Sequence, residues 1–424
     1  MNAGAIVEDL FGTQGWADPY PIYVRAQALG PVVPVGPSTF LVSSHRAVNQ
    51  VLRTTAFGAS SGEVGPERDD RTGTGSMDLL ARSMLESNQP RHTRMRTPIA
   101  AVFTPRRIAA LEPAVTLAVE RLLDGMAEAG ADGAVVDFMD RLAYALPVRV
   151  ICELLGVPEA DRYRFRELAH DLTRALEFRV GPEELVLADE AGRELAEYFG
   201  ALAARRRADP QDDLVSALVS RPDEGGPDDG GPDVGGPDVG GPDSGMSDPE
   251  LVANLVLLLF AGFETTTNLL GNGLALLFQY PAVRQALAGG GLAPALFVDE
   301  VLRYDSPVQL TSRVALVDGL EIEGVPVPRQ AEVLLLLGAA NRDPARFAEP
   351  ERFDPWRADN APLSFGAGIH YCLGAMLARL EAAVAFPALL ARFPELAPAE
   401  GAVPVRQDRI VLRGYAELPV RLGR

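Results

Sequence analysis

Lysine is absent from the 424 residues. All 39 basic side chains are arginine, against 58 Asp and Glu, and the formal net charge is −19. No positive field is available to release phosphate counterions, which excludes a general nucleic-acid binder. Cysteine is nearly absent as well. Cys152 and Cys372 are the only two, too few for a disulfide framework and in keeping with a reducing cytoplasm. The N-terminus shows no basic segment followed by an apolar one, so no secretory signal is expected. Long apolar runs are also missing: those at 255–263 and 333–340 are too short to cross a bilayer. What is plentiful is hydrophobic content, 47%, ample for a core. A soluble, cytoplasmic, non-membrane protein is the expectation.

The scarce cysteine stands at a conspicuous place. Phe365-Gly366-Ala367-Gly368-Ile369-His370-Tyr371-Cys372-Leu373-Gly374 is a glycine-punctuated turn, followed at once by the helix-forming run Ala375–Glu381. That order places the Cys372 sulfur at a helix N-terminus, where unpaired N–H groups and the macrodipole favour a thiolate. Gly366 and Gly368 let the backbone turn tightly beneath whatever the sulfur binds. With no second cysteine nearby, the arrangement is a poor zinc site and a good single axial ligand for haem iron. The plainer alternative is a half-buried structural cysteine. Cys152, inside the apolar run Val150–Leu155, reads as a small buried hydrophobe.

Elsewhere the pattern is mostly helical, with breaks at Gly130, Pro147, Gly156, Gly181 and Pro210 between Arg106 and Ser220. Ser247-Asp248-Pro249-Glu250 is a capping box opening a long, almost wholly apolar helix. At its centre, Ala261-Gly262-Phe263-Glu264-Thr265 buries a carboxylate that must be paired or reach water, unless it faces solvent. Thr265 can bond back to the Ala261 carbonyl and open a groove in the helix. His92 and Arg96 lie four apart on one helix face, either as a solvated basic face or as ligands. β-like runs with hairpin signals at Asp318-Gly319 and Glu323-Gly324 precede the cysteine loop, and Arg409–Leu422 reads as a hairpin turning near Arg413–Tyr415. Residues 57–77 read as an irregular loop. The fold class expected is mainly α with a smaller β region.

One segment stands apart. In 222–245, Gly-Gly-Pro-Asp recurs four times with a five-residue period. Such a sequence has no side chains to bury and is expected to be a disordered acidic insert.

At every patterned position, Phe365–Gly374 resembles the haem-binding loop of the cytochrome P450 superfamily. The resemblance extends over roughly residues 16–422, leaving out the insert. It implies one large domain, 1–424, enclosing haem b held by Cys372, with Phe365, Gly366, Gly374 and Ala261 around the cofactor. His92, Arg96, Arg313 and His370 match the ligands of its propionates, as charge-assisted bonding to carboxylates requires. Asn88-Gln89-Pro90 departs from the acidic residue and two prolines usual before that histidine. Glu264 and Thr265 match an acid–alcohol pair that carries protons to the site of oxygen chemistry and would face the iron. Glu300 and Arg303, with Arg352 in Pro350-Glu351-Arg352-Phe353, match a structural Glu–Arg–Arg network that holds the haem loop.

The activity implied is that of an oxygen- and electron-dependent monooxygenase, hydroxylating or epoxidising a small apolar molecule. A ferredoxin and its reductase are the partners implied, besides substrate and O2. Arg91, Arg94, Arg106 and Arg379 are the cations expected to dock the ferredoxin, and a monomer is expected. The arginine-only, Ala/Gly/Pro-rich wording is similar to actinobacterial members that tailor natural products. Two other readings stay open: a haem-thiolate protein that binds ligand without turnover, and a haem-free helical binding domain.

Overall fold

The computed structural model describes residues 3–59, 75–220 and 245–423. The Gly-Gly-Pro-Asp segment expected at 222–245 lies outside the described residues apart from Gly245, as does most of the 57–77 loop. Helices hold 57% of the chain, and the strands make four small sheets among the described residues. This is the mainly α architecture with a minor β region.

The central helix, Asp248–Gln279, organises the rest. Glu250 at its third position accepts from the Ser247 N–H at 3.0 Å, one half of the expected capping box. Its apolar residues point all round, so it is enclosed on every side. The N-terminal half, Leu251–Phe263, packs in one hydrophobic cluster with Ile151, Phe165 and Phe199. Its C-terminal half, Leu269–Leu277, packs in another with Leu142, Phe297 and Phe386. The helix is long and apolar enough to cross a membrane by length and composition, more than the short apolar runs suggested. In its most apolar window, however, 78% of residues are buried inside the protein.

The five-stranded sheet runs in the order Val32–Pro34, Thr39–Val42, Glu332–Leu336, Leu310–Ala315, Phe57–Gly58. Thr39–Val42 pairs parallel with Glu332–Leu336, and the other neighbours pair antiparallel. Leu310–Ala315 brings Arg313 opposite Val333. The hairpin Leu320–Ile322/Val325–Val327 turns through Glu323 and Gly324, both with positive φ, as its sequence requires. The C-terminal hairpin differs from its expected register. Val405–Arg406 pairs with Tyr415–Glu417, so residues 407–414 form the connection and Arg413–Tyr415 is its exit. Pro419–Arg421 pairs instead with Val136–Asp137 and Ala397–Pro398.

Candidate active site

The loop before the cysteine is built by backbone hydrogen bonds. The Cys372 N–H donates to Phe365 O at 2.9 Å and Gly366 N–H to Leu363 O at 2.8 Å. Gly366 and Gly368 both sit at φ +68°, a region other residues enter at a cost. At Gly368 a Cβ would also lie 2.2 Å from the Leu52 carbonyl oxygen. Gly374 then opens the helix Ala375–Arg392. The Cys372 sulfur faces a cavity of about 340 Å³. Burial pushes its thiol up, while the Gly374 and Ala375 N–H groups, Arg96 and Arg379 pull it down. A helix N-terminus alone therefore does not make this a thiolate. By contrast, burial pushes the Cys152 thiol up to about 12, an inert core residue.

Round the same cavity stand basic groups with few partners, Glu86 being the carboxyl that faces Arg313. His92 is 1% exposed and neither of its ring nitrogens has a partner; His370 Nε2 is also without one. Their rings lie 4.2 Å apart. Burial first, then neighbouring positive charge, holds His92 down to about 4 and His370 to about 3. Burial likewise lowers the guanidiniums of Arg96 and Arg313. Arg96 donates to the Tyr371 carbonyl, and Arg313 Nη1 donates to Ser312 O at 2.7 Å. Buried polar groups left so are costly unless a ligand satisfies them. Two imidazoles and two guanidiniums converging beside one thiol fit a ligand that carries two carboxylates and a metal open to axial sulfur. Haem b, with two propionates and an iron open to a thiolate, fits that donor set.

The distal wall comes from the central helix. Ala261, Gly262, Thr265 and Thr266 line the cavity, and the Thr265 hydroxyl donates to Ala261 O at 3.1 Å. Gly262 lets the helix Ala145–Leu154 approach: a Cβ there would meet the Ile151 side chain at 2.7 Å. Glu264 does not join Thr265. Successive helical residues point about 100° apart, and Glu264 is buried away from the cavity, with His170 Nδ1 3.8 Å from its Oε1. Burial pushes its carboxyl up to about 7, against the opposing charges of Arg409 and Arg166. Of the pair expected to face the iron, Thr265 lines the cavity and Glu264 does not.

Two further expectations need correction. Arg303 forks onto Glu300 with two bonds of 2.8 Å, both side chains fully buried. Arg352 does not complete a charge network: its side chain is 64% exposed and reaches Glu349. Only its backbone carbonyl takes part, accepting from Arg303 at 3.0 Å. Arg357 comes nearer, its Nε lying 3.8 Å from Glu300 Oε2, within ion-pair range but without a hydrogen bond.

The docking cations are also largely engaged. Arg91 and Arg94 both bind Glu250, at 3.0 and 2.7 Å, fastening the helix Arg91–Ala100 to the start of the central helix. Against the desolvation that would raise it, Arg94, the Ser247 amide and Arg91 hold the Glu250 carboxyl down to about 2. Arg379 pairs with Asp299 at 2.8 Å and stacks on Phe365. Arg106 is exposed.

Sequence reasoning missed Glu86 and Glu381, both in the cavity lining. Burial raises Glu86 to about 7, Arg313 opposing, and burial also raises the Glu381 carboxyl well above its ordinary value, with Oε2 unpartnered. Neither sits in a pattern that marks it; Glu381 in particular looks like the polar face of an ordinary helix.

A family model described as cytochrome P450 matches residues 237–288 and 295–415. The chain is 37% identical over 436 residues to cytochrome P450 monooxygenase PikC of Streptomyces venezuelae, covering 100% of this chain and 94% of that protein. It is 36% identical to 6-deoxyerythronolide B hydroxylase of Saccharopolyspora erythraea, covering 98% of this chain and 99% of that one. Among solved structures it is similar to P450BioI in complex with a hexadec-9Z-enoic acid ligated acyl carrier protein. There the TM-score is 0.85 at 30% identity, over 96% of this chain and 99% of that one.

Proposed function

Because the chain belongs to the cytochrome P450 family, whose members bind haem b, we propose that it is a haem-thiolate monooxygenase of an apolar natural-product intermediate. The observation that carries this reading is the convergence of Cys372 with His92, Arg96, Arg313 and His370 on one cavity, the two imidazoles lacking partners. Haem bound through a thiolate supplies O2 activation once two electrons arrive.

The chain's own residues then have separable tasks. Cys372 would supply the thiolate to the iron. The four basic groups would hold the two propionates. Phe365, Gly366, Gly374 and Ala261 line the same cavity and would enclose the cofactor. Thr265 presents a hydroxyl into the cavity, and Glu264, on the far side of the same helix, is the proton reservoir behind it. Glu300 and Arg303 hold the segment leading to the loop. The central helix, shared by two hydrophobic clusters, supports treating 1–424 as one domain.

For the substrate, Leu257, Leu258, Val308 and Leu85 make much of the wall, which suits an apolar body. PikC and 6-deoxyerythronolide B hydroxylase, by their names a monooxygenase and a hydroxylase, support hydroxylation as the reaction. Electrons would come from a ferredoxin and its reductase. Of the four arginines expected to dock it, Arg106 keeps an exposed charge, while Arg91, Arg94 and Arg379 serve ion pairs within the chain.

The test is a screen of lipophilic compounds for a low- to high-spin shift of the ferric Soret band, followed by turnover with ferredoxin, reductase and the hits. One oxygenated product per O2-dependent cycle is expected. Hits that bind tightly yet give no product under any electron supply would instead mark a ligand-binding protein without turnover.

A further inference from the structure

A second cleft, of about 480 Å³, shares no lining residue with the cofactor cavity. Its size is that of a small-molecule site. The helix Tyr20–Leu29, the last two turns of the central helix and the C-terminal hairpin meet there. Its floor is cationic. Arg342, Arg406 and Arg413 surround a single buried carboxylate, Asp305. Asp305 Oδ1 accepts from Arg413 Nε and from the Tyr20 hydroxyl, each at 2.9 Å, and Oδ2 accepts from Arg406 Nη2 at 3.0 Å. Against the desolvation that would raise it, Arg406, Arg413 and Arg342 hold this carboxyl well below the ordinary range. One buried anion thus answers three cations. The other two acids of the cleft are at its mouth: Asp18 is exposed, and Glu351, 58% exposed at its side chain, accepts from Arg342 Nη1 at 2.7 Å. A pair with one partner so exposed is weak, and another carboxylate can take the place of Glu351.

The guanidiniums are held in fixed positions. Arg342 lies against the rings of Tyr20 and Tyr304, 3.5 and 3.8 Å from their centroids, while its Nε and Nη2 donate to Tyr304 O at 2.9 and 2.6 Å. Arg406 lies 3.8 Å over the Tyr415 ring and donates to Asn272 Oδ1 at 2.9 Å, yet its side chain stays 24% exposed. Planar donors fixed by stacking lose little entropy when a carboxylate arrives. The same residues also hold the wall of the cofactor cavity. Asp305 is two residues from Pro307, which with Val308 lines that cavity. Arg413 N–H donates to Pro307 O at 2.8 Å, and Asn272 Nδ2 donates to the carbonyls of Asp305 and Arg413, both at 3.1 Å. Val308 in turn bridges to Leu412.

We propose that this cleft is a second ligand site, taking a small organic carboxylate on Arg342 and Arg406, and that its occupancy biases the Pro307–Val308 wall of the cofactor cavity. Binding exchanges one ion pair for another: the ligand carboxylate displaces Glu351 from Arg342, and no covalent bond changes. A monocarboxylate with an apolar body suits the cleft better than an inorganic anion does. Val24, 54% exposed, and Pro21 offer that body an apolar shelf at the mouth, and Asp18 and Glu351 beside them count against a doubly charged ion. The link to the cavity runs through Asp305 and Arg413. A ligand that draws Arg406 toward itself loosens its bond to Asp305, and with it the anchorage of the strap that carries Pro307 and Val308. By linkage, whatever fills the cofactor cavity must change the affinity of the cleft by the same factor. Neither half of the proposal depends on turnover.

The experiment is a fluorine NMR titration of the haem-loaded protein with 4-(trifluoromethyl)phenylacetate, the main cavity being filled by 4-phenylimidazole, whose binding is read from the Soret band. One probe per chain should bind. Arg406→Gln should weaken it roughly tenfold or more, with the CO-bound spectrum unchanged. Glu351→Gln, a surface change that serves if Arg406→Gln fails to fold, should tighten it about twofold to fivefold by removing the competing carboxylate. Affinities that stay at the wild-type value in both variants overturn the site, and displacement of the probe by equimolar inorganic phosphate overturns the carboxylate assignment. For the link, saturating probe should change the affinity for 4-phenylimidazole by about twofold or more in wild type and leave it unchanged in Arg406→Gln. An affinity that ignores the probe in wild type, or that responds equally in Arg406→Gln, overturns the coupling to the cavity wall.

Discussion

Two clusters of polar side chains in this molecule are both built on arginine and behave oppositely. Around Arg303 every N–H is used: Nε and Nη2 bind Glu300, and the remaining bonds go to the carbonyls of Asn341, Pro350 and Arg352. Glu300 is saturated as well, accepting from Asp354 N–H at 2.7 Å and Asn360 Nδ2 at 3.1 Å. Around the cavity, His92 is buried and His370 half-buried with ring nitrogens unpartnered, and Arg96 and Arg313 reach only backbone carbonyls and the Thr311 hydroxyl. A closed cluster answers only to the fold. An open one is complete only with a ligand, and its shortfall, two carboxylates' worth of positive character beside a thiol, names the ligand.

Breaking the closed cluster should have the largest effect. Arg303→Ala leaves Glu300 buried and unpaired, a loss of about 3–5 kcal/mol, read as a collapse of the denaturation midpoint or of folded yield. A variant within about 0.5 kcal/mol of wild type would mean that the cluster is not what holds this segment.

Glu264 sharpens the contrast through pH. Its carboxyl is raised from 4.5 to about 7 in the folded protein, so between those values the native state binds a proton that the unfolded state does not. Stability therefore falls as pH rises across that window. Glu264→Gln should match wild type near pH 4.5 and exceed it by up to about 3 kcal/mol above pH 7. Parallel melting curves from pH 4.5 to 8 check this, and a constant offset would refute the assigned shift.

Opening the open cluster further should cost the fold little and the cofactor much. Arg313→Leu should leave the apoprotein's stability unchanged or higher, yet speed haem loss to an acceptor globin roughly tenfold, the equivalent of about 1.4 kcal/mol. Equal rates of loss would remove Arg313 from the propionate set. The smallest effect is expected at Arg352→Ala, within about 0.5 kcal/mol, because the side chain is mostly exposed. A loss of several kcal/mol there would restore it to the network.

How far the sequence could be read depended on whether the determinants were local. The cysteine loop was legible because its geometry is written in contiguous residues: glycines where φ is positive, a cysteine, then a helix. Its ligand set, drawn from His92, Arg96, Arg313 and His370, came from resemblance, since nothing in spacing says that strands and helices so far apart share a cavity. Arg352 was misplaced because Pro350–Arg357 carries two arginines and only packing decides which one folds toward Glu300. The engagement of Arg91 and Arg94, expected to dock the ferredoxin, was hidden for the same reason: Glu250, which binds both, lies more than 150 residues on. Glu264 was recognised as an unusual acid, but motif order cannot say that Thr265 lines the cavity and Glu264 turns away from it.

The most direct test of the account is the reduced, CO-bound spectrum of three proteins. Wild type and Cys152→Ala should both show the strongly red-shifted Soret band of thiolate ligation, and Cys372→Ala should lose it while still binding haem through the remaining cavity groups. A red-shifted band that survives in Cys372→Ala would contradict the assignment of the axial ligand, and with it the site built around that sulfur.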